Sequence, residues 1–327
     1  MKKNPAKGIV KRKKKPKYKV RNWHTYNEAL VRRGTLDFWV EKGWIKSWKV
    51  EILPPDKKKK GAQRIYSDHA IETVLSLGKV FRQPLRQTEG FVRSVFRLSG
   101  LNLGVPDHTT LSRRAGKIVV RLPVKDKKYV AAILDSTGLK VYGEGEWKVK
   151  KHGASKHRDW LKLHISIDRD GEIRAGLVTD NSIDDAKAGI ELLENQSKFD
   201  RIDEIDADGA YDKRKMYKAA LEHKIEKINI PPQVNAHIWF HGNLNTSPHP
   251  RDENLRAIRK TTRKKWKEFS GYHIRSKVES TMFRRKIIFG DKVSGRKIEN
   301  QITEVMITLK ALNKMMDAGM PETYKVT

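Results

Sequence analysis

The chain has 327 residues and a formal net charge of +31 at pH 7, which favours a polyanionic partner, with nucleic acid as the first candidate. It contains no cysteine, which excludes disulfides, thiolate zinc sites and cysteine nucleophiles. No apolar run approaches the roughly 20 residues of a membrane span, and no GxxxxGK[ST] loop is present, so neither a membrane nor ATP is an expected partner.

The first 120 residues divide into a basic arm and a helical region. Residues 1–20 hold many lysines and no acid, and prolines and a glycine interrupt them, so we predict a disordered basic arm. The arm could contact DNA phosphates or serve only as a solubilising tail. Residues 21–120 are predicted to be an α-helical DNA-binding region, with Ser67 or Asp68 capping one of its helices.

Part of this region is typical of a helix-turn-helix. A helix near 87–99 is followed by the turn LNLGVPD and by a helix that opens at Asp107, so the motif would span about 87–118. Thr109, Arg113 and Arg114 lie in the last helix, where polar side chains can reach base edges. A plain helical bundle has the same element order, so both interpretations stay open.

From residue 125 the pattern changes to strands alternating with helices. The apolar run YVAAIL ends at Asp135, LKLHISI and IRAGLVT form a predicted hairpin, and IDEIDA leads to Asp208. The order of strands and helices is that of a ribonuclease-H-like fold, a mixed five-stranded sheet with flanking helices. We predict this α/β domain over 125–327, with a basic insertion at about 231–270 that the pattern does not assign.

The second half carries Tyr272, Arg275, Glu279 and Lys286 in the spacing Y-x2-R-x3-E-x6-K, on a predicted helix over 272–289. These offsets put an acid, two cations and a phenol along one side of that helix. Arg275 and Lys286 could pair with DNA phosphates or orient Glu279, and Tyr272 could contact DNA or only pack. Alone, Glu279 would be the partner of Arg275 in an i, i+4 ion pair.

Three carboxylates from separate segments, Asp135, Asp208 and Glu279, can together form a divalent-metal site. Two Mg²⁺ ions activate a nucleophile and neutralise the leaving oxygen in phosphodiester cleavage, and Mg²⁺ prefers oxygen ligands. Strand alternation puts Asp206 and Asp208 on the same face, so geometry alone does not choose between them. Asp212 is predicted to cap the next helix.

Other candidate DNA contacts lie in two basic segments. Lys148, Lys150 and Lys151 could follow the DNA backbone beside the site or form a solvated charged face. Trp239 and Phe240 in the insertion could stack on an unpaired base or pack under the loop.

Four blocks resemble DDE-class insertion-sequence transposases, and most closely the insertion-sequence five family. They are LDSTGLKVYGEGEWKVKKHG (134–153), DADGAYD (206–212), YHIRSKVESTMFRRK (272–286) and ALNKMMDAGMPE (311–322). The resemblance implies that Asp135, Asp208 and Glu279 are the catalytic triad, with Mg²⁺ as cofactor and Mn²⁺ as a substitute.

The same resemblance implies the activity and the partners. The enzyme would bind terminal inverted repeats, free a 3′-hydroxyl by hydrolysis and join it to target DNA. It would act as a homodimer or larger multimer on DNA, in the cytoplasm of a prokaryote and associated with its nucleoid. The alternatives are another ribonuclease-H-like nuclease, such as a junction resolvase, and a non-catalytic repressor derived from a transposase.

Overall fold

The computed structural model describes residues 17–41, 43–50, 64–141, 160–240 and 248–326. Most of the predicted basic arm therefore lies outside the described residues. No helix within the described ranges is both long and apolar enough to cross a membrane.

Within these ranges, seven strands form two sheets. They are β1 (Lys17–Val20), β2 (Val130–Lys140), β3 (Trp160–Ile167), β4 (Ile173–Asp180), β5 (Ile202–Asp206), β6 (Lys227–Asn229) and β7 (Thr323–Val326). The main sheet has the order β4-β3-β2-β5-β6, in which β2 pairs antiparallel with β3 and parallel with β5. This is the predicted mixed five-stranded sheet.

The central strand is longer than the sequence predicts. The sequence predicts that the strand ends at Asp135, but β2 runs unbroken to Lys140. It stays continuous because β3 pairs with it along that length, from Ile133 opposite Ile167 to Lys140 opposite Trp160. Asp135 therefore lies within the strand.

The helices flank this sheet and build the N-terminal region. They are α1 (Trp23–Arg32), α2 (Leu36–Trp39), α3 (Asp68–Val80), α4 (Leu85–Leu98), α5 (His108–Ala115), α6 (Asp185–Gln196), α7 (Arg214–Glu222), α8 (Pro250–Lys260), α9 (Arg263–Phe269), α10 (Ser276–Phe289) and α11 (Ile298–Ala318). Ser67 caps α3 by accepting from Ala70 N, and Asp107 caps α5, as predicted. The connection between α4 and α5 spans 99–107, which is longer than the three- or four-residue turn of a helix-turn-helix.

One hydrophobic core joins the N-terminal helices to the sheet. Ile71 and Leu111 are fully buried in the same cluster as Ile165 on β3 and Leu309 on α11. Ion pairs cross the same boundary, with Lys310 Nζ 2.6 Å from a carboxylate oxygen of Glu72 on α3. The helical region and the α/β domain are therefore packed as one body, although the sequence pattern separates them at about residue 120.

The last residues of the predicted arm form a strand. Residues Lys17–Val20 pair antiparallel with β7, because Asn22 holds the two segments together through a bond from its Nδ2 to Met320 O (3.0 Å) and one from Glu322 N to its Oδ1 (2.7 Å). Arg33 donates to Met315 O (2.9 Å) and Gly319 O at the end of α11. Disorder was thus the wrong prediction for 17–20.

The described part of the basic insertion contains α8 and α9 and packs on the sheet. Asp212 does not cap α7, because its carboxylate is engaged by Arg251 Nε at 2.7 Å and Nη2 at 3.2 Å. The Arg251 guanidinium also lies 3.9 Å from the ring centroid of Trp239, which packs against Tyr217. Trp239 therefore packs under the insertion, the second of its two predicted roles.

Candidate active site

Two aspartates meet where the central parallel strands run side by side. In the β2–β5 register Ile133 lies opposite Asp206. Two residues further along the two parallel segments, Asp135 and Asp208 therefore lie at the same height along the strand direction. Asp208 follows β5 and caps a 3-10 turn over Gly209–Tyr211 by accepting from Ala210 N at 2.8 Å. The turn fixes the Asp208 side chain beside the sheet edge.

Glu279 lies on α10, and the guanidinium of Arg275 links it to Asp135 on the sheet. The nearest Arg275 nitrogen lies 3.6 Å from Asp135 Oδ1, and another nitrogen of the same group pairs with Glu279. The predicted helix over 272–289 begins later, because Tyr272–Arg275 form a 3-10 turn after Gly271, whose φ is +76°. Arg275 thus reaches back to the sheet from this turn and connects two of the three predicted acids.

The carboxylates influence one another electrostatically. Burial raises the pKa of Asp135, and the negative charges of Asp208 and Glu279 raise it further, while the Ser136 amide and Arg275 oppose them. Burial by itself would lower the pKa of Arg275, but Tyr272 and the three carboxylates outweigh it and raise the pKa. The three acids therefore act on one another electrostatically, and the positive charge of Arg275 opposes their repulsion.

The donor chemistry of these residues fits a hard divalent cation. All three predicted ligands are carboxylates, which Mg²⁺ accepts together with water. Asp135 and Glu279 already share a positive group, the Arg275 guanidinium. Within the described residues, however, no three acid, histidine or cysteine side chains are close enough together to hold one ion. The three acids influence one another electrostatically but do not form a coordination shell in this arrangement.

Of the other two signature residues, Tyr272 is buried and Lys286 is exposed. Tyr272 is 7% exposed, its ring centroid is 5.5 Å from that of Trp266, and burial with Asp208 nearby raises its pKa to about 12. The Tyr272 ring is therefore packed inside in this arrangement, and its contact with DNA stays a prediction. Lys286 is exposed on α10; the hydrogen bond with Lys140 is the main cause that lowers the pKa of Asp291, and the charge of Lys286 adds to it.

The three predicted DNA contacts on α5 also differ in exposure. Arg114 is 9% exposed, pairs with Asp68 and donates to Tyr66 O at 3.0 Å, so it holds α5 to α3, and its contact with DNA stays a prediction. Thr109 bonds to the capping carboxylate of Asp107 at the helix start. Arg113 is exposed one turn later and remains a predicted DNA contact.

The three predicted lysine contacts, Lys148, Lys150 and Lys151, lie outside the described residues.

Asp206 and Asp208 lie in different environments. Asp206 is fully buried on β5, where Asn229 Nδ2 donates to its Oδ1 and to Glu204 Oε1, each at 2.9 Å. Burial and the Glu204 charge raise the pKa of Asp206 to about 7. Asp208 lies beyond the strand and is partly exposed, so it is the aspartate of this pair that can meet a ligand.

A buried tyrosine that the sequence analysis did not single out supports the site from below. Tyr211 ends the 3-10 turn of Asp208, is 1% exposed, and has its pKa raised by burial and by Asp185, Asp135 and Asp208. Its ring packs so closely on Gly189 of α6 that a Cβ there would lie 2.7 Å from a ring carbon. The DGAYD block was the available signal, but only the packing reveals this role.

The sheet order, with Asp135 on the central strand and Asp208 just after its parallel neighbour, is that of the ribonuclease-H-like class. A family model described as a transposase DDE domain matches residues 126–314, and a second model with the same description matches residues 31–144. Because the first match covers more than half of the chain, the protein belongs to the DDE transposase domain family.

Proposed function

We propose that this protein binds the terminal inverted repeats of an insertion sequence, cleaves DNA at the element ends and transfers the 3′-hydroxyl ends to target DNA. The observation that supports the proposal is that Arg275 links Asp135 and Glu279 and that the charge of Asp208 acts on the same guanidinium. Family membership supports transposase activity in general. Repeat binding and strand transfer are what the resemblance of the sequence blocks implies.

In this proposal each residue of the site has a distinct task. Asp135, Asp208 and Glu279 would hold Mg²⁺, or Mn²⁺ as a substitute, and the bound ion supplies an activated water and charge neutralisation at the reacting phosphate. Arg275 would hold Asp135 and Glu279 near each other through its positive charge. Lys286, exposed on the same helix, is placed to contact a DNA phosphate as a point charge.

The partners follow from charge and from the reaction. A net charge of +31 suits two DNA segments, the element end and the target, and binding should weaken steeply with salt. Joining two ends to one target requires two active sites, so we propose that a homodimer or larger multimer assembles on the DNA.

The test uses the full chain and the DNA that flanks its reading frame. Asp135→Asn, Asp208→Asn and Glu279→Gln should each reduce Mg²⁺-dependent cleavage at least about 100-fold, since each removes a charge from the site, while DNA binding persists. The matched control is Glu222→Gln, an acid whose side chain is 64% exposed on α7 and pairs only loosely with Lys218 at 3.8 Å. Full cleavage by the Glu279→Gln protein would overturn the assignment.

A second assay separates transposition from related reactions. The same protein is offered linear element ends, four-way junctions and a supercoiled target. A transposase joins a 3′ end to the target, whereas a junction resolvase cuts only the junction and a repressor yields no metal-dependent product.

A further inference from the structure

Strands β1 and β7 form a two-stranded ribbon that lies largely in solvent. This terminal ribbon, residues Lys17–Val20 and Thr323–Val326, pairs with no third strand within the described ranges. Three of the four residues in each strand are exposed, among them Tyr18 at 61% and Tyr324 at 49%. Since the described residues bury neither tyrosine, both faces of the terminal ribbon are open to a partner.

The register of the two strands gives both faces the same chemical groups. Tyr18 lies opposite Lys325, and Lys19 lies opposite Tyr324, so each pair shares one face. Each face therefore carries a phenol beside an ammonium group, and Lys17 adds a third ammonium group. The eight residues of the terminal ribbon include no acid. Ammonium groups and phenol hydroxyls both donate hydrogen bonds to phosphate oxygens.

The base of the terminal ribbon is held by three helices. Asn22, directly before α1, bonds to the backbone of both segments where they leave the ribbon. Arg33 follows α1 and donates to Gly319 O at the end of α11. Arg284 on α10 donates from Nη1 to Met320 Sδ at 3.2 Å. Helix α10 also carries the third acid of the proposed site, so the ribbon has a fixed position relative to that site.

Charge and dimensions favour duplex DNA as the partner of the terminal ribbon. Three of its eight residues are lysines, and residues 1–16, which precede it, contain seven lysines, one arginine and no acid. The major groove of B-DNA is about 12 Å wide and admits a two-stranded β-ribbon. Lysine and tyrosine contacts to phosphates position a protein on DNA without reading its bases. The expected contact is therefore independent of DNA sequence.

A second copy of this chain fits the terminal ribbon less well. Edge-to-edge pairing of two ribbons would bring six lysines together without an acid among the paired strands. Lysines on an edge strand oppose such pairing. Each strand is also only four residues long, so an added strand would gain few main-chain hydrogen bonds.

We propose that the terminal ribbon lies in the major groove of duplex DNA, with its three lysines and two tyrosines on the phosphates that border the groove. The inference rests on the proposed function only for the source of the duplex, an element end or the target. It assigns a DNA-binding surface to the two ends of the described chain, separate from the three acids.

The first experiment measures how the DNA affinity of the full chain depends on salt, in EDTA so that no cleavage occurs. The ribbon variant carries Lys17→Gln, Lys19→Gln and Lys325→Gln. Its matched control replaces with glutamine three exposed lysines that lie before β2, between α6 and β5, and on α7, namely Lys128, Lys198 and Lys218.

The expected result follows from counterion release. Each phosphate contact contributes about 0.9 to the slope of log K against log salt, so the ribbon variant should lose about 2–3 of that slope and the control less than about 1. The loss should be equal on an element-end duplex and on a duplex of unrelated sequence. An unchanged slope, an equal loss in the control, or a loss on one duplex alone would overturn the proposal.

The second experiment tests the groove. The carbon that bears the methyl group of thymine faces the major groove, so a duplex with 5-iodouracil in place of thymine presents a photoreactive iodine there. After irradiation of the complex, mass spectrometry should find cross-links at Tyr18 and Tyr324. Tyr129, 45% exposed directly before β2, is the matched control and should carry none. Cross-links absent from the terminal ribbon, or equally frequent at Tyr129, would reject the groove contact.

Sedimentation without DNA tests the competing occupant. Wild type and the ribbon variant should have the same oligomeric state, because the lysines contact DNA and not another copy. A change of oligomeric state in the ribbon variant would assign the terminal ribbon to an interface between copies and overturn the proposal.

The two proposals fail separately. Cleavage of element ends by wild type, with an affinity that does not depend on the ribbon lysines, would leave the transposase proposal standing and reject the ribbon site. Ribbon-dependent affinity and cross-linking, without any cleavage of element ends, would support the ribbon site and reject the transposase proposal.

Discussion

At the residue scale, Asp206 and Asp208 show how two similar side chains take different environments. The sequence places both at the end of β5, and only the structure gives Asp206 a closed pocket with Asn229 and Glu204. Its second oxygen, Oδ2, has no hydrogen-bond partner among the described residues. A carboxyl held in that way is stable mainly when it carries a proton.

The buried carboxyl predicts a pH-dependent stability. Its pKa is about 7 in the folded protein and near 3.9 in an unfolded chain, so the folded state holds the extra proton between these values. Stability should therefore fall as pH rises from about 4 to about 7. Asp206→Asn should remove this loss of stability. The melting temperature of the variant minus that of wild type should therefore increase progressively between pH 4 and pH 8.

Thermal melts at closely spaced pH values test this expectation. Asp126→Asn, at an exposed position, controls for the loss of one charge. A melting difference between Asp206→Asn and wild type that is the same at every pH would contradict the assignment of the pH dependence to Asp206.

At the element scale, α6 positions the site although it holds none of the predicted catalytic residues. Gly189 lets Tyr211 lie flat against the helix, with ring carbons 2.7 and 2.9 Å from where a Cβ would be. Tyr211 belongs to the 3-10 turn that Asp208 caps. A displacement of the ring would therefore move the Asp208 carboxylate.

Two helical glycines give a matched pair of substitutions. Alanine is favoured over glycine in a helix by about 1 kcal/mol, and a Cβ added at Gly90 on α4 would meet only open space, so Gly90→Ala should stabilise the protein by up to about that amount. Gly189→Ala should instead destabilise it by about 1–3 kcal/mol through overpacking, and should slow cleavage more than it weakens DNA binding. Denaturant unfolding and the cleavage assay measure both effects, and equal stabilisation by the two variants would rule out the Tyr211 contact.

The elements were more predictable than their connections. Apolar periodicity predicts β3 and β5, and a capping residue predicts the start of α3, because local sequence decides which backbone state these segments adopt. Pairing between distant segments decides the rest. The β1–β7 pair, the extension of β2 along β3 and the Asp212–Arg251 ion pair have no local signature. In the site, spacing and resemblance predict three acids, whereas the link between Asp135 and Glu279 through Arg275 depends on the 3-10 turn.

At the scale of the whole molecule, the N-terminal helices and the sheet depend on one core. Helix α11 packs on α3 and also contacts β4, so it contributes to both halves. Neither half keeps its buried surface alone, and shared burial of this kind favours cooperative unfolding.

The shared core predicts how the protein responds to truncation. Calorimetry of the full chain should show one main transition, whose van't Hoff and calorimetric enthalpies agree. Residues 125–327 expressed alone should bind a hydrophobic dye and melt without a sharp transition, because Ile165 and Leu309 lose the cover of Ile71 and Leu111. Two separate transitions in the full chain, or a sharply melting fragment, would show independent domains.

The place of α11 in the chain has a consequence for synthesis on the ribosome. Helices α3 and α5 emerge first, yet the helix that completes their core begins only at Ile298. At 5–20 residues per second, the delay is on the order of ten seconds or more. Throughout that time the apolar faces of the early helices lack their final partner. A message that breaks before the codon for Ile298 therefore yields a fragment whose N-terminal helices cannot complete their core.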